Sequence, residues 1–175
     1  MNLENYLKNV LYEFNGLKKQ AEKAMVQISD DQFFQLIDPE ANSIALIVKH
    51  IAGNQHSRWS DFLTTDGEKD FRYRDNEFLI FENDSRKSLM TYWENGWKIL
   101  FDTIESLTPD DLKKTIQIRS KDHFVYEAIN RQLTHYASHV GEIILLAKHF
   151  KGKDWQTLSI AKGQSENFNK KMFNK

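Results

Sequence analysis

Apolar residues recur at intervals of three and four through most of this chain, and that spacing commits it to helices. Leu3, Leu7, Val10, Phe14, Leu17, Ala21, Ala24 and Ile28 fall on one stripe, because about 3.6 residues complete a helical turn. A half-buried strand would need alternation at every second residue. The pattern then repeats. Asn42 or Ser43 can cap a second helix carrying Ile44, Val48, Ile51, Trp59 and Phe62, which ends near Leu63 before Thr64-Thr65-Asp66-Gly67. Asp84 or Ser85 begins a third, with Met90, Trp93, Trp97, Leu100, Ile104 and Leu107 facing inward, and Thr108-Pro109 ends it. The last runs from about Tyr126 to Phe150 with Ile129, Leu133, Tyr136, Val140, Ile143, Ile144 and Ala147 on its apolar face, and Gly152 lies just beyond.

A helix with one apolar face has to bury it against another element, so the expected fold is all-α, a four-helix bundle. Ser29-Asp30-Asp31-Gln32 reads as a capping box opening a short helical connector that ends near Pro39. Thr108 as N-cap, with Pro109, Asp110 and Asp111 behind it, predicts a brief helical turn. Thr115 to Arg119 alternates, and Ser120-Lys121-Asp122 can turn it back into His123-Phe124-Val125, a short hairpin or extended excursion before the last helix. The charged stretch from Thr64 to Asp84 has no period from which to assign a conformation. At 175 residues the chain is expected to form one bundle domain over 1–152, with a tail at 153–175 whose Trp155, Leu158, Ile160 and Phe168 lie along it.

Composition narrows the function. Basic and acidic residues number 24 and 25, and phosphate neutralisation needs a basic surface, so no nucleic-acid partner is expected. No apolar run approaches the roughly 20 residues that cross a bilayer, and Met-Asn-Leu-Glu-Asn-Tyr lacks the basic start of a signal peptide. A cytoplasmic protein with no membrane partner is expected. The chain has no cysteine, which removes thiolate metal sites and a thiol nucleophile together. Any metal must sit on His, Asp or Glu.

Of the six histidines, His135 and His139 are four apart on the predicted last helix, on one side of adjacent turns. Such imidazoles can converge on one ion, or form a solvent-boundary pair beside the core. His50 sits on the second helix, where a lone histidine can simply be hydrogen-bonded in the core. If the second and last helices are neighbours, all three imidazoles can meet. Three neutral nitrogens accept zinc, nickel, iron or manganese and leave coordination positions open. Asn54, one turn after His50, can point the same way. Glu142, three after His139, can be a fourth ligand, a general base, an orienter of an imidazole N–H, or a solvated carboxylate. Arg58, Arg72 and Arg74 can hold an anionic substrate or belong to an ordinary polar surface.

A histidine on helix two with a His-x-x-x-His pair on the last helix resembles the DinB-like superfamily, which includes the YfiT-type metal-dependent enzymes. The similarity runs from the first helix to about Phe150. Lys49-His50-Ile51-Ala52-Gly53-Asn54, with the run from Arg58 to Lys69, resembles a branch of that superfamily whose members have no assigned activity. The resemblance implies an up-up-down-down bundle, often a homodimer, with the metal on His50, His135 and His139. It also implies a thiol S-transferase, joining a low-molecular-weight thiol to an electrophile, or a hydrolase of another small molecule. The contrasting expectation is a non-catalytic dimeric bundle of the stress-response kind that binds metal structurally or not at all.

Overall fold

Capping chemistry sets where the helices begin in the computed structural model, which describes residues 3–173. α1 (Leu3–Met25) buries Leu7, Val10, Phe14, Ala21 and Ala24 along the expected stripe. It stops before Ile28 because Gln27 and Ile28 switch to tight turns, donating to the carbonyls of Ala24 and Met25. The reciprocal box of Ser29 and Gln32 then opens α2 (Asp30–Phe34). Ser43 caps α3 (Ile44–Trp59), and Ser85 caps α4 (Arg86–Ser106). α5 (Val125–Lys151) ends at Gly152, whose φ of 59° favours glycine.

The chain is predominantly helical, with one two-stranded hairpin. Four long helices share a single apolar core: α3 packs along α4 and α1 along α5, while α3 also meets α5 and α1 meets α4. At its centre the Phe14 ring lies 6.0 Å from Trp59, 6.3 Å from Trp97 and 6.0 Å from Tyr136. Truncating an aromatic side chain packed this way costs about 3–5 kcal/mol. Among the described residues, no helix is long and apolar enough to cross a membrane.

Helix α3 ends four residues earlier than its pattern suggests. Ser60 is extended and Asp61 takes a φ of 48°, while the backbone N–H groups and hydroxyls of Thr64 and Thr65 turn back onto the Asp61 carbonyl. The following segment folds over the polar side of α3 and forms a 3₁₀ turn at Arg74–Phe78. Ser57 and Arg58 both donate to the Gly67 carbonyl. With α4 and α5 packed on its other sides, every residue of α3 except Lys49 and His56 is buried, its polar side included.

Strands β1 (Thr115–Ile118) and β2 (Lys121–Phe124) pair antiparallel around a two-residue turn. Arg119 and Ser120 both hold positive φ, 55° and 59°, a conformation that Asn-Gly pairs adopt at less cost. The Asp66 carboxylate offsets that cost by accepting from their two N–H groups at 2.8 and 2.6 Å. Before the hairpin, Thr108 and Asp111 pair reciprocally: the Thr108 hydroxyl oxygen accepts from the Asp111 N–H at 3.4 Å, and the Asp111 carboxylate accepts from the Thr108 N–H and hydroxyl, leading into a 3₁₀ turn at Asp111–Lys113.

In the tail, Gln156 and Gln27 exchange two hydrogen bonds, and Trp155 and Leu158 pack against the core. Ile160 and Phe168 are exposed, and an unforeseen helix α6 (Ser165–Phe173) buries none of its residues. Positions 174 and 175 of the expected tail lie outside the described residues.

Candidate metal centre

Contact between α3 and α5 brings the three histidines together. His135 and His139 project from adjacent turns of α5, and the His50 ring comes across from α3, 5.3 and 5.0 Å from them between centroids. The convergence is made by like atoms. Nε2 of His135 lies 3.3 Å from Nε2 of His50 and 3.1 Å from Nε2 of His139, and the three donors all fall within 4.8 Å of one another. Metal–nitrogen bonds of about 2.0–2.1 Å at tetrahedral angles separate neighbouring nitrogens by about 3.3 Å. The three histidines are positioned to bind one metal ion.

Carboxylates fix the ring orientation. The Glu77 carboxylate lies 2.8 Å from His50 Nδ1, and that of Glu142 lies 2.7 Å from His139 Nδ1. A carboxylate accepts, so each places the ring proton on Nδ1 and leaves the Nε2 lone pair facing the other imidazoles. His135 can donate one Nε2 proton at most. At least two lone pairs then converge without a proton between them, all three nitrogens lying within 4.8 Å, an arrangement that a cation relieves. Burial, with the nearby His139, His50, Arg72 and Arg58, holds His135 down to about 3, so it is neutral at neutral pH.

Glu77 was not singled out by sequence. It is buried in the 3₁₀ turn and receives Arg72 Nε and a terminal Arg72 nitrogen at 2.7 and 2.9 Å. Burial pushes its carboxyl upward, but the hydrogen bonds from His50 and Arg72 outweigh that and hold it below the usual glutamate range. Gly53 makes room for it: a Cβ there would lie 2.4 Å from Glu77 Oε1. A glycine three residues after a histidine was the only trace of this contact in the sequence.

The remaining expected residues fall on different sides of the triad. Glu142 sits behind His139, at the nitrogen remote from the other imidazoles, which matches an orienter among the roles open to it. Asn54 Oδ1 accepts from the Tyr136 hydroxyl at 2.9 Å, and that hydroxyl accepts from Trp59 Nε1 at 3.1 Å. A cleft of about 360 Å³ is lined by His50, His135, Asn54 and five arginines. Arg58, Arg72 and Arg74 were expected there. Arg119, from the hairpin turn, and Arg131, four residues before His135 on α5, were not. Arg72 is committed to Glu77, and Arg58 to Gly67 and Glu68.

The chain was compared with known proteins. A family model described as Protein of unknown function (DUF1572) matches residues 2–164. No curated protein and no solved structure matches the chain.

Proposed function

We propose that this chain, which belongs to that family of unknown function, is a metal-dependent enzyme acting on a small molecule through His50, His135 and His139. The observation that carries the reading is the meeting of three Nε2 atoms at 3.1 and 3.3 Å, with two of the rings backed by carboxylates at Nδ1. The DinB-like resemblance fits it, including a four-helix bundle of up-up-down-down topology.

An ion bound there supplies Lewis acidity, lowering the pKa of a coordinated water or thiol and polarising a carbonyl. The chain's own groups do the rest. Glu77 and Glu142 hold the Nδ1 protons and keep the donor atoms aimed inward, and Arg72 keeps Glu77 ionised. Asn54, fixed by Tyr136, forms part of the wall beside His50 and His135, where a substrate enters. A structural ion would be closed by a fourth protein ligand. Among the described residues the three imidazoles are the one such ligand group, and two of them, His50 and His135, border an open cleft. Hydrolysis and thiol transfer both use this arrangement, and the absence of cysteine means that a thiol must come from a cosubstrate.

Elemental analysis of tag-free protein beside His135→Ala and His139→Ala tests the reading. About one zinc, nickel, iron or manganese per wild-type chain, lost in both variants, is the expected result. Equal metal content in all three ends it. A screen of low-molecular-weight thiols against a fluorogenic electrophile, run beside ester and amide substrates, then separates transfer from hydrolysis.

A further inference from the structure

The cleft beside the imidazoles collects more positive charge than its neighbours neutralise. Five guanidiniums line it, and no carboxylate does. Arg58, Arg72 and Arg119 share one carboxylate, Glu68, at 3.1, 3.4 and 3.2 Å. Glu77 serves only Arg72 among the arginines. Arg74 reaches the fully exposed Asp75 only at 4.0 Å, and Arg131 forms no ion pair with any described residue. Like charges held this close repel unless an anion joins them.

A second observation does not depend on counting charges. Arg58 and Gln132, 5% and 3% exposed, both line the cleft, and Arg58 Nε and Gln132 Oε1 have no hydrogen-bond partner. Buried polar atoms are nearly always satisfied, so the unpaired Arg58 Nε–H at this cleft is a donor that an anion completes, whereas Gln132 Oε1 is an acceptor that an anion leaves unpaired.

We infer that this cleft binds a small dianion, a phosphate monoester or a dicarboxylate, gripped by Arg74, Arg119 and Arg131 and completed by Arg58 Nε. Forked guanidiniums match both phosphate and carboxylate oxygens, and a volume of about 360 Å³ suits a metabolite rather than a polymer. The inference names the substrate class of the proposed enzyme and rests on that reading for the cleft's role. Anion binding itself needs only the arginines.

Calorimetric titration of the full chain at low ionic strength tests it, with phenyl phosphate, succinate and acetate as probes, in chelator-treated and zinc-loaded samples. One dianion per chain is expected, with or without zinc, at least about tenfold tighter than acetate. The preferred dianion identifies the source. Arg131→Gln and Arg119→Gln should each weaken it by about tenfold; Arg131→Lys should recover part of the loss, and Lys98→Gln on α4, outside the cleft, should change nothing. No saturable binding, equal affinity for acetate and the dianions, or indifference to Arg131→Gln would overturn the inference. Dianion binding by a wild-type protein that takes no metal would sink the metal-enzyme reading alone, whereas a stoichiometric metal with no dianion binding would sink this inference alone.

Discussion

Two imidazoles of the triad are oriented by the same device, built in two different ways. His50 leans on Glu77, a carboxylate 27 residues away whose side chain is 8% exposed and which is itself gripped by Arg72. His139 leans on Glu142, one turn along the same helix and 50% exposed. The first pair depends on a long segment being folded over α3; the second comes with the helix. The same carboxylate–imidazole contact should therefore matter very unequally on the two sides.

The largest effect is expected from Glu77→Gln. It leaves Arg72 with only Glu68, which it shares with Arg58 and Arg119, in a buried setting, costing roughly 3 kcal/mol, and it weakens metal binding by about 10- to 100-fold. Urea denaturation and competitive chelator titration measure the two. Gly53→Ala approaches the same contact from the other side: a methyl 2.4 Å from Glu77 Oε1 must displace it. A loss of about 1–3 kcal/mol is expected, with weaker metal binding although no ligand has been touched. Unchanged affinity would show that the Glu77 position is unimportant.

Asp66→Asn loosens the clasp between the hairpin turn and the segment carrying Glu77, at a cost of about 1 kcal/mol. Burial pushes the Asp66 carboxyl upward, but backbone N–H groups of Glu68, Ser120 and Arg119 outweigh it and hold it below the usual aspartate range. Because the folded pKa lies below the unfolded one, the clasp stabilises fully above about pH 4. It is lost as pH falls below that, so denaturation between pH 3 and 6 should show a shallower acid decline in Asp66→Asn. Glu142→Gln should be mildest, within about 0.5 kcal/mol and less than about tenfold in metal affinity. Equal losses from Glu77→Gln and Glu142→Gln would erase the contrast between the two sides.

The same contrast explains what could be read in advance. Helix periodicity carries local information, so α1 and Gly152 were legible from spacing, the caps of α3 and α4 were each narrowed to two residues, and the orienter role of Glu142 was one of several its spacing left open. The alternation of Thr115 to Arg119 marked a short hairpin or an extended excursion, and the hairpin is the form adopted. Glu77 and Arg119 reach the site through tertiary folding of a charged segment and a turn, neither of which leaves a period, whereas Arg131 sits four residues before His135 on α5, at a spacing that could have found it. Helix α3 shows the same limit. Asn54 and Arg58 on its polar side read as an ordinary polar face, and they are buried because α5 and the segment after α3 close over them.

The central claim is that three Nε2 atoms share one ion while Glu77 and Glu142 hold the opposite nitrogens of two rings. Anomalous diffraction from zinc-loaded crystals tests it most directly. The account predicts one peak about 2.0–2.1 Å from Nε2 of His50, His135 and His139. Absence of a peak among these rings, or a peak bound through Nδ1 with a carboxylate displaced, would contradict it.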